Sequence, residues 1–153
     1  MTTGTTAKPA EKQPPRRILK NEKDLWSEYL RTNPYHLHHE QFDVNIIPNE
    51  KTASWAADNW KKNWDRLNCP RADIICKGEL NTDYVIELKE EATFQTLAQV
   101  MAYMELAAVF GIVSTSAHML IITRSISPTT GYLADRSGIL IHRLFPNKDK
   151  GGL

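Results

Sequence analysis

The spacing of apolar residues along the chain predicts helices and strands that alternate. Apolar side chains recur every three or four positions over residues 18–31 and 93–110, which is typical of helices with one packed face. Ser127-Pro128 begins a further helix over residues 128–135. Alternating or continuous apolar runs predict strands at residues 41–47, 71–76, 84–88, 119–123 and 139–144. With a short helix expected over residues 52–68, the order is αβ(α)ββαβαβ, a mixed α/β fold with helices on a sheet.

The helix over residues 93–110 has an apolar side and a polar side by its spacing. We expect Phe94, Leu97, Ala98 and Met101 to share the packed side. Gln95, Gln99 and Tyr103 are four residues apart and form a polar stripe beside it.

Both ends of the chain lack the apolar side chains that a packed structure needs. We therefore predict a flexible arm over residues 1–17 and a second loose end over residues 147–153. The remaining residues, 18–146, would form a single domain. A chain of 153 residues is long enough to bury a core without disulfides or a structural metal. Cys69 and Cys76 follow no signal peptide, so we expect reduced thiols and a cytoplasmic protein.

The charge balance limits the kinds of partner. Nineteen Lys and Arg against eighteen Asp and Glu give a net charge of +1, so a nucleic-acid surface has to be a local patch. The most apolar stretch, residues 97–113, is interrupted by polar side chains and is shorter than the roughly 20 residues of a membrane span. We therefore expect no membrane partner.

The stretch over residues 52–68 allows two readings. It contains Trp55, Trp60, Trp64, Lys61, Lys62 and Arg66. The indoles could stack on unpaired bases while the three cations bind phosphates. Alternatively the indoles pack on the sheet as the apolar face of a helix, or bind a protein partner.

Two acids and a lysine fall on neighbouring predicted strands. Side chains alternate between the faces of a strand, so Glu87 and Lys89 share one face, and hairpin pairing brings Asp73 across from Glu87. Two carboxylates ~4 Å apart repel by about 4 kcal/mol at an effective dielectric near 20. A divalent cation compensates this repulsion, and oxygen ligands favour Mg²⁺ or Mn²⁺. Lys89 would then orient or deprotonate the attacking water, or stabilise charge on a phosphate.

These residues resemble the PD-(D/E)XK nuclease superfamily. The resemblance rests on Asp73, the run Val85-Ile86-Glu87-Leu88-Lys89, and Gln99 with Tyr103 on the following helix. It is strongest to RecB-like domains and to archaeal endonucleases that act on branched or mismatched DNA. It implies a restriction-endonuclease-like core in which Asp73 and Glu87 bind the metal and Lys89 is the catalytic lysine.

The resemblance also implies roles for residues on both helices. Gln99 and Tyr103 would support the site or contact the substrate backbone, and Glu22 on the first helix would join the catalytic set. Ala72 stands where the family motif has a proline, which the chemistry does not require. The tryptophan stretch is a larger departure from the family pattern.

The function implied by the resemblance is hydrolysis of phosphodiester bonds, in DNA rather than RNA, with Mg²⁺ or Mn²⁺. A homodimer is a candidate assembly, because nucleases with one such site pair to cut both strands. The alternative is a catalytically silent nuclease-like fold that acts as a nucleic-acid-binding or assembly module. A separate, purely structural interpretation of the two acids and the lysine is a surface salt-bridge cluster on a half-exposed sheet, worth ~0–1 kcal/mol per pair.

Overall fold

A computed structural model describes residues 20–47 and 70–145, which form a five-stranded sheet with helices on both faces. The elements are α1 (Lys20–Leu30), β1 (His38–Asn45), β2 (Arg71–Lys77), β3 (Asp83–Ala92), α2 (Phe94–Val109), β4 (His118–Ile126), α3 (Pro128–Arg136) and β5 (Ile139–Arg143). The predicted mixed α/β fold is confirmed over these ranges. The predicted arm, the tryptophan stretch with Lys61, Lys62 and Arg66, and the loose end lie outside the described residues.

The sheet has an antiparallel half and a parallel half that share β3. The strand order is β1-β2-β3-β4-β5. The pairs β1–β2 and β2–β3 are antiparallel, and the pairs β3–β4 and β4–β5 are parallel. α2 and α3 make the two crossovers that parallel pairing requires. The carboxyl ends of β3, β4 and β5 therefore meet at one edge of the sheet.

One face of the sheet is covered by α1. Leu25, Trp26 and Tyr29 of this helix are buried against even-numbered strand residues. These are Ile74, Cys76, Tyr84, Ile86, Leu88, Leu120 and Ile122, with Leu144 just beyond β5. The helix ends before Asn33, whose side chain bonds the Leu37 backbone at both N–H (2.8 Å) and C=O (3.1 Å).

The opposite face is covered by α2 and α3, and it corrects one prediction. The buried residues of α2 are Thr96, Leu97, Val100 and Ala107. Of the expected packed set only Leu97 is buried, whereas Phe94 is 55% exposed, Met101 is 44% exposed and Ala98 is also exposed. The first turn is fixed by Thr96, whose hydroxyl accepts from the Thr93 N–H at 3.1 Å and is turned inward. The helix is thereby rotated away from the predicted face.

Cys76 is a free thiol buried under α1. Burial raises its pKa to about 12, so the thiol stays protonated and unreactive at neutral pH. Cys69 lies outside the described residues.

The helices of the described ranges are all too short or too polar to cross a membrane.

Candidate functional site

The β2–β3 hairpin brings Asp73 and Glu87 together where strand pairing ends. The last paired residues are Ile74 and Ile86, and one step further the same register sets Asp73 across from Glu87. Asp73 Oδ2 accepts a hydrogen bond from the Leu88 N–H at 2.8 Å. The two acids thus face each other in the way that strand alternation predicts.

The turn between β2 and β3 fixes this register. Gly78 N–H donates to the Thr82 carbonyl at 2.8 Å, and a short 3₁₀ helix, Glu79–Asn81, fills the turn. A Cβ added to Gly78 would lie 2.5 Å from the Tyr84 ring, so only glycine fits without a shift. Lys77 pairs with Asp83 across the base of the turn at 2.5 Å. A slip of one residue would carry Glu87 to the other face of the sheet.

Glu87 is a buried carboxyl group with one oxygen unsatisfied. The residue is 3% exposed, and its Oε1 has no hydrogen-bond partner among the residues that the structure describes. A buried polar atom without a partner is costly, and more so when it is charged. The site therefore holds an acceptor that needs a ligand.

Burial and mutual repulsion favour a proton on this pair. Burial, followed by the negative charge of Asp73, raises the pKa of Glu87 to about 9. Burial also raises the pKa of Asp73, while the Leu88 N–H and a hydrogen bond from Glu87 oppose that rise. At neutral pH Glu87 therefore keeps its proton and donates a hydrogen bond to the Asp73 carboxylate.

Lys89 acts on both acids. Its positive charge lowers the pKa of Asp73 and that of Glu87, so the amine lies close enough for both electrostatic interactions. Lys89 is two residues from Glu87 on β3, which places both side chains on the face that α2 covers. The structure therefore brings Asp73, Glu87 and Lys89 together.

The donor set fits a hard divalent cation. The two adjacent carboxyl groups, one with a free buried oxygen, become on loss of their shared proton the oxygen ligands that Mg²⁺ and Mn²⁺ prefer. No group of three or more His, Cys, Asp or Glu converges within residues 20–47 and 70–145. Water and substrate oxygens would complete the coordination, as is usual for Mg²⁺ beside one or two carboxylates.

Gln99 and Tyr103 lie on α2, on the same side of the sheet as Glu87. Both are half-buried and one turn apart, beside the packed stripe of the helix, and Tyr103 packs against the core. Gln95, which precedes them in the predicted stripe, is exposed. Their support of the site or contact with a substrate stays a prediction.

Glu22 lies on the other side of the sheet. It is half-buried on α1 and borders a pocket of about 250 Å³ with Trp26, Phe42 and Leu88. The Leu88 side chain packs in the α1 core, whereas the side chains of its neighbours in sequence point to the α2 face. A catalytic role for Glu22 stays a prediction.

Sequence analysis missed Arg124, which lies on β4. Its guanidinium pairs with Glu28 of α1 at 2.6 Å and with Glu90 of β3 at 3.2 Å. The interaction links α1 to the strand that carries Lys89. No local sequence motif predicts these ion pairs, because Arg124, Glu28 and Glu90 are far apart in sequence.

Comparison with known proteins supports the fold. No family model matches the sequence, and no curated protein matches it. EndoMS in its apo form has a TM-score of 0.53 at 11% identity, over 83% of this chain and 47% of EndoMS. A repair endonuclease from Pyrococcus abyssi has a TM-score of 0.54 at 13% identity, over 83% of this chain and 46% of its own.

A complex of EndoMS with double-stranded DNA gives a TM-score of 0.50 at 14% identity, over 93% of this chain and 50% of that one. This chain therefore spans about half the length of the proteins it resembles. At these identities the likeness shows a shared fold, which is the α/β nuclease-like fold of these endonucleases.

Proposed function

We propose that this protein is a metal-dependent nuclease of the PD-(D/E)XK type that hydrolyses phosphodiester bonds in DNA. The observation that carries the proposal is the pair of Asp73 and buried Glu87, with one unsatisfied oxygen, beside Lys89. A module that only binds DNA gains nothing from two acidic side chains packed together with a buried oxygen left unsatisfied. A site that binds a cation does, because both side chains become oxygen ligands once the cation displaces the proton they share.

Each of the three residues has a distinct part in the proposed reaction. Asp73 and Glu87 would hold Mg²⁺ or Mn²⁺, which when bound polarises the phosphoryl oxygen and activates water. The Leu88 N–H holds the Asp73 carboxylate in position for this. The Lys89 ammonium would stabilise the negative charge that develops on the phosphate by donating a hydrogen bond to its oxygen, or would orient the attacking water.

DNA is the proposed substrate because of the structures that share the fold. One is a repair endonuclease and another is bound to double-stranded DNA. With a net charge of +1, the chain would hold DNA through a local surface rather than through its overall charge.

The test is a cleavage assay with matched variants. Labelled single-stranded, duplex and branched DNA are incubated with the protein in Mg²⁺, in Mn²⁺ and in EDTA. We expect Glu87→Gln and Lys89→Ala each to lower the metal-dependent rate by about 10²-fold or more. Glu91→Gln, an exposed glutamate on the same strand, is the control and should stay within a few-fold of the wild type.

Two results would contradict the proposal. Cleavage that survives both Glu87→Gln and Lys89→Ala would place the activity elsewhere. DNA binding without turnover in either metal would favour a catalytically silent module.

A further inference from the structure

The parallel half of the sheet sets Lys89, Thr123 and Arg143 in one row. Lys89 pairs in register with Thr123, and Thr123 with Arg143. Odd-numbered residues of these strands face α2 and α3, as the core residues Val85, Ile121 and Ile139 do. Lys89 and Arg143 therefore point to the same side, two strand spacings or about 10 Å apart.

Arg143 is an exposed cation at this edge. Its Nε donates to the main-chain carbonyl of Arg124 at 3.2 Å, which directs the side chain from β5 towards β4. Within the described ranges no carboxylate lies within ion-pair distance of Arg143. The remaining donors of a guanidinium fit two oxygens of one phosphate.

Arg124, on the neighbouring strand, serves a different purpose. Its side chain faces α1, is only 20% exposed, and is paired with the carboxylates of Glu28 and Glu90. Of these two arginines at the edge, Arg143 is the one available to an anion.

Phe145 extends from the same edge. Its ring is exposed, with the residue 81% accessible, but its backbone is held in place. The Leu144 N–H donates to the Thr123 carbonyl at 2.8 Å, and Arg124 donates to the Phe145 carbonyl at 3.5 Å. An exposed aromatic ring on a fixed backbone, two residues along the chain from the exposed Arg143, is a combination suited to stacking an unpaired base.

We infer that Lys89, Arg143 and Phe145 form a track for a single-stranded segment of DNA. A phosphate next to the cleaved one binds Arg143, and an unpaired base stacks on Phe145. The inference rests on the proposed function, since Lys89 marks the cleavage point from which the track runs. If the inference holds, the DNA substrate is single-stranded where it crosses this edge of the sheet.

The test measures DNA binding without turnover. Fluorescence anisotropy of the full chain in EDTA is recorded with a labelled oligo-dT 20-mer and with its duplex, over a series of salt concentrations. We expect Phe145→Ala to weaken single-strand binding about tenfold and duplex binding much less. Arg143→Ala should weaken both and lower the dependence of log affinity on log salt by about one.

The chain offers matched controls on α3. Arg136 is an exposed arginine in the last turn of that helix, and Tyr132 is an exposed aromatic residue outside the track. Arg136→Ala and Tyr132→Ala should bind DNA as the wild type does. Circular dichroism and Tm establish that all four variants are folded.

The outcomes separate this inference from the proposed function. Losses in Arg143→Ala and Phe145→Ala no larger than in the controls would overturn it, even if the wild type cleaves DNA. An equal loss of single-strand and duplex binding in Phe145→Ala would overturn the inference that an unpaired base stacks on Phe145. Selective losses in a protein that never cleaves DNA would support the track and refute the nuclease. If the protein does cleave, Arg143→Ala should raise KM and leave kcat unchanged.

Discussion

At the scale of single residues, Glu87 makes the stability of the fold depend on pH. Its carboxyl group ionises with a pKa of about 4.5 when exposed to water, and burial beside Asp73 raises that pKa to about 9 in the folded state. Between these values the folded chain keeps a proton that the unfolded chain has released. Ionising Glu87 therefore favours unfolding.

We expect stability without metal to fall as pH rises from about 5 to 9. The stabilising protonated form is complete below the unfolded pKa and is lost as pH passes through the folded pKa. One proton gives a slope of at most about 1.4 kcal/mol per pH unit. Glu87→Gln stays neutral, so it should be more stable than the wild type at pH 8, as Tm measured in EDTA would record.

Glu91→Gln is the control for this profile, because Glu91 is exposed on the same strand. It should retain the slope of the wild type. A wild-type Tm profile as flat as that of Glu87→Gln would mean that Glu87 is already ionised in the fold.

Cation binding should reverse the destabilisation at alkaline pH. At a metal concentration 100 times the dissociation constant, binding to the folded state adds about 2.7 kcal/mol. We expect Mg²⁺ or Mn²⁺ to raise the Tm of the wild type at pH 8 and to leave that of Asp73→Asn almost unchanged. An equal rise in both proteins would point to a different binding site.

At the scale of elements, Arg124 joins α1 to β3 and β4. Its side chain and that of Glu28 are 20% and 24% exposed, so solvent screens the pair less than a surface ion pair. The link holds the carboxyl end of β3, next to Lys89, against the first helix.

Arg124→Ala should lower the free energy of unfolding by about 1–2 kcal/mol, because it leaves Glu28 partly buried without its partner. Arg124→Lys should recover part of the loss. Urea unfolding measures both, with Arg136→Ala as the exposed-arginine control, expected within about 0.5 kcal/mol of the wild type. A loss in Arg124→Ala no larger than the control would show that the interaction adds no stability.

The orientation of α2 can be tested by truncation on its two sides. Val100 is fully buried, so Val100→Ala should destabilise by about 1–3 kcal/mol. Met101, its neighbour in sequence, is 44% exposed, and Met101→Ala should stay within about 0.5 kcal/mol. If denaturant unfolding showed a larger loss of stability in Met101→Ala than in Val100→Ala, the packed face of α2 would be the one that periodicity predicted.

Periodicity predicted the elements better than it predicted their contacts. The facing of Asp73 and Glu87 followed from strand alternation and a short turn, both of which are local. The packed side of α2 did not, because its apolar residues occur all round the helix and the inward turn of Thr96 decides between them. The ion pairs of Arg124 and the position of Glu22 depend on which helix covers which face of the sheet. Long-range packing decides that arrangement, so local sequence patterns do not reveal it.

At the scale of the whole molecule, the candidate site lies on the strand shared by both halves of the sheet. The antiparallel half supplies Asp73, and the parallel half supplies the edge with Arg143. This chain spans about half the length of the endonucleases that share its fold. A homodimer stays a prediction.

The bond from the Leu88 amide to Asp73 gives one group two duties. Where the ladder between β2 and β3 stops, the aspartate accepts a backbone donor that a partner strand would otherwise satisfy. A mutation that removes the Asp73 carboxylate would therefore also leave the Leu88 N–H without its hydrogen-bond acceptor. A variant that loses the proposed cleavage but keeps the fold should tolerate asparagine at this position better than alanine, because the amide oxygen of asparagine still accepts the bond.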